Sequence, residues 1–480
     1  MVSRSRLSRL YPSVFILFAV VFLTLGFLGI DHSCLDSADS AYLITSRALA
    51  DGQMPYRDFL VAHPPLLFVL GAPLAWLGDG VVPFRVFILL LMLVMGVVVW
   101  RIAFKITAND KLAMFAGAIT LFAPLGLFFS KTFLNDYLVS LITVLMILLL
   151  MGGSRRAIAA AGVLGILGTL TKLTFLPFLV VCVAYVLVFR RRQAWIFTAI
   201  ALGGAVAAAA ALQLVTNGGY LSDILGSQAS KGFSLSNLLG GLHRIWLLDW
   251  PLIVPAWAGA WFAGRALLRH EQLGGQLKGR LFLLVGWLAA GVVVLGTLPA
   301  EGHDTNLFLV AEPAVAVLAA WGLVGLAERR TVVPIALVVL WLLAAVPALV
   351  DKSSDFFFRS NATDVAAIVA EAQNRTSDCQ PVIIPGCYAL ESGHPVTMDF
   401  YDQFLWEEKY RRGNEDALAM FEGLRQEVAA EKSAVILFGD RQPSIDILEP
   451  QLDDHYQVDF NSEAWPPMTL WVPRETRAPG

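Results

Sequence analysis

The chain has 480 residues, 57% of them hydrophobic and 15% charged, with a formal net charge of −3 and a mean hydropathy of +0.66. A soluble globular domain carries about 25% charged residues, so this balance excludes an ordinary water-soluble enzyme. It predicts a polytopic α-helical membrane protein.

Crossing a hydrocarbon core takes about 20 predominantly apolar residues in a helix that satisfies its own backbone. In chain order, eleven segments fit: 13–30, 84–100, 112–129, 137–152, 157–171, 173–189, 194–216, 251–268, 281–299, 307–326 and 332–350. The first follows a basic start (Arg4, Arg6, Arg9) and precedes no small-x-small cleavage site, so an uncleaved anchor is expected. With the N-terminus in the cytoplasm, the cytoplasmic loops collect 17 lysines and arginines. The outer side keeps 7: Arg47, Arg57, Arg85, Lys131, Lys172, Lys231 and Arg244. This asymmetry orients membrane proteins, and the compact loops suggest a bacterial inner membrane.

An odd number of spans places the C-terminal region outside the cytoplasm. Residues 351–480 hold 23 acidic and 11 basic side chains, a net of −12, against +9 for residues 1–350. A separate soluble α/β domain is expected there. Strands are predicted at 382–386, 434–440 and 469–473, and helices over 363–373 and 415–431. Cys379 and Cys387 flank a Pro-Gly turn and are either bridged or two buried thiols. No CxxC or HExxH pattern occurs, so no metal site is indicated.

Of the 15 carboxylates in residues 1–350, only Asp110, Glu271 and Glu328 fall on the cytoplasmic side. The first outer loop, 31–83, is the densest. Asp36 and Asp39, three apart, share a helical face, and Tyr42, Ile44, Ala48 and Leu49 offer apolar surface for the bilayer interface. A solvated amphipathic helix is the competing explanation. GQMPYRDF (52–59) brings Tyr56 and Asp58, and His63-Pro64-Pro65-Leu66 opens a short apolar helix whose N-terminus suits a phosphate.

Lys131 and Asp136 lie at the outer boundary of the third and fourth spans, where ionisable groups are functional candidates; snorkelling and capping are the plainer roles. Lys172, between Thr171 and Thr174, is placed to neutralise a leaving phosphate. Glu301, His303, Asp304 and Asn306 form a polar knot that is either acceptor site or solvated loop. Glu312, inside a span, calls for a cavity or a partner. The loop 217–250 is either a lid or a mobile connection.

The acid in the first outer loop, the "A…L…G…PY.DF…HPPL" pattern, an arginine about twenty residues on, the second acid and the "G…LTK" segment together resemble the integral-membrane GT-C glycosyltransferases. The likeness is to the protein O-mannosyltransferase and aminoarabinose-transferase group (glycosyltransferase family 39). HDTNLFLVAEPAVAVLAAWGL (303–323) is similar to that family's final outer loop and span. The resemblance implies a GT-C catalytic domain over 1–350, with an outer-face site that takes a sugar from a polyprenyl phosphate and passes it to an acceptor hydroxyl with inversion. Asp39 and Asp136 match the family's acids and are the expected catalytic pair. His63, Arg85 and Lys172 are expected at the donor phosphate, and Asp36, Tyr56, Asp58, His303, Asp304 and Glu312 as lining.

Two positions depart from the family. Asp39-Ser40 stands where many members have Asp-Glu, leaving the base open between Asp36 and Asp39, and His63 stands where many have lysine. The expected partners are the polyprenyl-phosphate sugar, membrane lipid and an acceptor that is protein, lipid or polysaccharide. No nucleic acid and no certain cofactor is expected. A transporter or flippase of a lipid-linked saccharide is the alternative, but no two-fold repeat or mid-membrane polar series supports it.

Overall fold

In a computed structural model, the chain is described over residues 4–31, 37–78, 80–229, 231–268, 275–300 and 303–327, with short stretches between 370 and 474. It opens with α1 (Arg4–Phe27), α2 (Ser37–Ala50), α3 (Leu66–Ala75), α4 (Val82–Thr107), α5 (Asp110–Phe122), α6 (Pro124–Phe129) and α7 (Asn135–Gly152). Then follow α8 (Arg155–Thr169), a 3-10 turn (Leu173–Phe175), α9 (Leu176–Phe189), α10 (Arg191–Thr198), a π-helical turn (Ala199–Gly203) and α11 (Gly204–Val215). Next come α12 (Gly219–Ala229), α13 (Leu235–Leu268), α14 (Gly275–Leu295), a 3-10 helix (Thr305–Val310) and α15 (Glu312–Ala327).

Ten of the eleven expected spans fall on these helices, and the eleventh, 332–350, lies outside the described residues. Among the described residues, five helices are long and apolar enough to cross a membrane: Val82–Thr107, Asn135–Gly152, Arg191–Val215, Leu235–Arg265 and Gly275–Leu295. Shorter apolar helices occupy Tyr11–Phe27, Leu66–Ala75, Leu173–Phe189 and Glu312–Leu323. The third expected span is broken at Ala123-Pro124, because proline has no N–H to continue the ladder. Residues 217–250 are mostly helical, belonging to α12 and the first half of α13, and are not an irregular loop.

Local chemistry sets the boundaries. Asn109 accepts the Leu112 N–H to cap α5, and Ser154 accepts the Ala157 N–H to cap α8, each answering a donor that the helix start leaves open. α4 packs on α5 and α7, and α13 on α15. The last pair meets backbone to backbone: a Cβ on Gly259 would lie 2.0 Å from the Leu318 carbonyl oxygen, and one on Gly322 would lie 1.9 Å from that of Pro255. Small residues of this kind let membrane helices approach closely.

α2 differs from expectation. Tyr42, Leu43, Ile44 and Ala48 are buried within the protein, with Tyr42 against Phe68 of α3, so its apolar face is taken by α3 and does not rest on lipid.

Among the described residues of the C-terminal region, four strands form one sheet in the order β1-β2-β4-β3: β1 (Val382–Ile383), β2 (Val435–Gly439), β3 (Tyr456–Ser462) and β4 (Met468–Pro473). β1 runs parallel to β2, and the other pairs are antiparallel. α16 (Glu415–Ala429) buries Phe421, Leu424 and Val428 with Leu448, Leu452 and Tyr456. Strands β1, β2 and β4 and helix α16 match expectation; β3 was not foreseen. The helix predicted over 363–373 and both Cys379 and Cys387 lie outside the described residues.

Candidate active site

The loops expected on the outer side converge at one end of the helices. Asp39, in the first turn of α2, is fully buried. Its Oδ1 accepts the Phe133 N–H at 2.7 Å, and Arg85 Nη2 lies 3.6 Å from its Oδ2. Arg85, near the start of α4, also donates to the Ile30 carbonyl at 2.9 Å, and Lys131 donates to that of Leu28. Two buried cations therefore bind the carbonyls at the end of α1, where a helix terminus carries partial negative charge. Burial brings Lys131 down to about 8, with Arg85 acting the same way and Asp31 opposing.

A second pair stands three residues past Phe133. Asp136, in the first turn of α7, receives Lys172 Nζ at 2.8 and 3.0 Å and Asn306 Nδ2 at 2.9 Å. A lysine bridging both oxygens of a buried carboxylate makes charge-assisted bonds, the strong class. Phe133-Leu134-Asn135-Asp136 thus ties the pairs together: its first residue holds Asp39 through the backbone, and its last meets Lys172 through its side chain.

The loop carrying His63 is fastened beside Lys172 by the Leu66 N–H, which donates to the Leu170 carbonyl at 2.8 Å. The His63 ring meets Tyr42 edge-on at 5.5 Å, and its carbonyl accepts the Tyr56 hydroxyl at 2.6 Å. Burial, and then the nearby Lys172, Lys231 and His303, hold the His63 imidazole well below its ordinary range. His303 donates from Nδ1 to the Thr297 carbonyl at 2.7 Å. Burial and Lys231 take it down to about 4, with the Thr297 bond opposing and Lys172 adding to the fall. Lys172 and Lys231 therefore supply the positive charge of a corner that they share with two histidines, next to Asp136.

α12 clamps that loop. Tyr56 adopts φ of 67°, a left-handed conformation uncommon for a bulky residue, and its ring stacks edge-on with Tyr220 at 5.1 Å. Asp223 accepts the Val61 N–H at 3.3 Å. A Cβ on Gly219 would lie 1.8 Å from the Tyr56 carbonyl oxygen, so only glycine permits this approach.

Of the expected site residues, Asp39, His63, Arg85, Asp136, Lys172, Tyr56 and His303 belong to this network. Arg85 is engaged by Asp39 and Ile30, which makes it a counter-ion more than a phosphate ligand. Asp58 stands apart: it is exposed, bonded to Arg57 at 2.8 Å and to the Met54 N–H at 2.7 Å, and those bonds, Arg57 first, hold it at about 2. Asp304 caps Thr305 and pairs with exposed Arg244 at 3.1 Å. Asp36 and Glu301 lie outside the described residues.

Glu312 has a specific answer. Its Oε1 accepts the Gly126 N–H at 3.1 Å, and Asp249 of α13 accepts the Leu125 N–H at 3.4 Å. Two buried carboxylates from distant helices thus bond the donors left open by the break before α6. Tyr137 donates to the Gly126 carbonyl at 2.7 Å on the same turn. The role of Asp249 was not foreseen. Pro124 in an apolar run signalled the break, but nothing marked which acid would reach it. Asn306 was read as part of a knot and not as the partner of Asp136.

Among the described residues, no group of three or more His, Cys, Asp or Glu side chains is placed to hold a metal ion.

No protein-family model and no curated protein sequence matches the chain. Solved structures do. ArnT of Cupriavidus metallidurans bound to undecaprenyl phosphate superimposes with a TM-score of 0.64 at 14% identity, over 97% of this chain and 99% of that one. The same protein in its apo state gives 0.60 at 16% identity, over 96% and 98%. The archaeal oligosaccharyltransferase AglB of Archaeoglobus fulgidus, in complex with an inhibitory peptide and a dolichol-phosphate, gives 0.58 at 11% identity, over 98% and 75%. The chain has the fold of the GT-C glycosyltransferases.

Proposed function

We propose that the protein is a glycosyltransferase that moves a sugar from a polyprenyl phosphate to an acceptor hydroxyl at the outer membrane face. The observation that carries this reading is the joined pair of buried centres, Asp39–Arg85 and Asp136–Lys172, beside a corner holding His63, Lys231 and His303. The bound undecaprenyl phosphate and dolichol-phosphate of the similar structures support a lipid-phosphate donor.

In the proposed reaction the acceptor oxygen attacks the anomeric carbon as the bond from that carbon to the phosphate oxygen breaks. The hydroxyl proton passes to Asp39, which the Phe133 N–H keeps oriented and which Arg85 faces at 3.6 Å. The lipid phosphate leaves toward Lys172 and His63, where positive charge offsets the charge developing on the departing oxygen. Asp136 orients the acceptor and holds Lys172 in place. One displacement inverts the anomeric centre.

Loss of one general base costs about 10²- to 10⁴-fold in rate. Transfer of radiolabelled sugar from synthetic polyprenyl-phosphate donors to a membrane acceptor fraction tests this. Asp39→Asn should lose activity on that scale, and retention of wild-type transfer by correctly folded Asp39→Asn and Asp136→Asn would refute the assignment.

A further inference from the structure

Three polar groups around the second centre take no part in the pairing described above. Asn135 is fully buried, and neither its Oδ1 nor its Nδ2 has a partner. The hydroxyl of Thr305 is fully buried and equally unpartnered, and so is that of Thr174, two residues past Lys172. Asp136 bonds Asn306, and Ser140, one turn along α7, donates to the Leu309 carbonyl at 3.1 Å. The first turns of α7 and the 3-10 helix 305–310 therefore run side by side, and Asn135 and Thr305 immediately precede the residues that meet. Folded proteins leave few buried polar groups unpaired, and such a group calls for a partner; here three lie one or two residues in sequence from Asp136, Asn306 and Lys172, the members of one bonded cluster.

Resting on the donor reading above, we infer that Asn135 and Thr305, with Thr174, bind the ring hydroxyls of the donor's sugar, and that this sugar is neutral. An amide and two hydroxyls offer donors and acceptors without charge, which matches a polyol. The surrounding charges point the same way. Asp136 already accepts three hydrogen bonds from Lys172 and Asn306, and Asp39 is paired with Arg85. Lys172 and Lys231 lie beside His63. An ammonium group on the sugar would face like charge, and each of these two carboxylates is already bound to a cation. Discrimination thus comes from unfavourable contacts with the wrong sugar as well as from hydrogen bonds to the right one.

The test is equilibrium binding to the purified full chain in detergent. The ligands are polyprenyl phosphate alone, the same lipid carrying a neutral hexose, and the same lipid carrying an amino sugar. The neutral sugar should bind roughly tenfold tighter than the bare phosphate, about 1.4 kcal/mol, and the amino sugar should bring no such gain. Asn135→Leu and Thr305→Val should each erase most of the gain while leaving affinity for the bare phosphate unchanged, a split that a merely structural role would not produce.

A gain that survives in both variants overturns the inference and leaves the donor reading standing. So does an equal gain with the amino sugar, or no gain with any sugar; the wild-type comparison decides even if a variant fails to fold. If the wild type binds none of the three ligands, the donor reading itself fails, and this inference with it.

Discussion

Replacing both partners of the Asp136–Lys172 pair should destabilise the protein by less than the two single replacements added together. Lys172 Nζ lies 2.8 and 3.0 Å from the two carboxylate oxygens. The carboxylate side chain is 0% exposed and the lysine 8%. At an effective dielectric constant of about 20, unit charges at that distance attract by about 6 kcal/mol, most of it offset by the cost of removing both from water. Stranding one charge costs about 3–5 kcal/mol. Asp136→Asn and Lys172→Met should each lose that much, and the double variant should lose less than their sum by about 3 kcal/mol. SDS titration in mixed micelles, followed by fluorescence of the chain's 13 tryptophans, supplies all corners of the cycle. Additivity within about 0.5 kcal/mol would show that the two side chains do not interact as the geometry requires.

Donor binding should depend on pH through His63, whose imidazole is held well below its ordinary value and is neutral in the empty protein. A bound phosphodiester favours the protonated ring, so donor affinity should rise as pH falls from about 8 toward 5, by at most about tenfold per unit for one proton. His63→Ala should flatten the profile. Stability should move the other way: a histidine whose value is depressed in the fold contributes stability above the ordinary value of about 6.5 and loses it as pH falls below. Thermal unfolding without ligand, from pH 8 to 5, reads this. Gly219→Ala drives a methyl into the Tyr56 carbonyl. Backbone cannot step aside as a side-chain tip does, so a loss of about 1–3 kcal/mol is expected, with faster proteolysis of the 51–65 loop as the readout.

The helices were legible because apolar runs of membrane length have one physical outcome in lipid, a hydrogen-bonded helix. Candidate residues were legible by type and position: Asp39, Asp136 and Lys172 are ionisable groups at helix ends, where chemistry concentrates. Their partners were not. Asp39 is bonded by Phe133, 94 residues away, and Asp136 by Asn306, 170 residues away; such choices arise from packing, which no local pattern encodes. The burial of α2 was missed for the same reason, since an amphipathic helix suits a bilayer interface and a neighbouring helix equally well. Residues 217–250 escaped because α12 and the start of α13 mix polar and apolar residues without a long run, and β3, YQVDFNS, alternates too irregularly to stand out.

The break between α5 and α6 bears on how the chain is assembled in the membrane. Leu125 and Gly126 emerge early in synthesis, but the carboxylates that receive their N–H groups belong to residues 124 and 186 positions later. Until α13 and α15 have been inserted, those donors lack their native acceptors. The same short stretch leads into Lys131 and Phe133, which fasten the end of α1 and Asp39. The second centre waits in the same way for Asn306, 170 residues after Asp136, so its full set of bonds forms only once the segment between α14 and α15 has arrived.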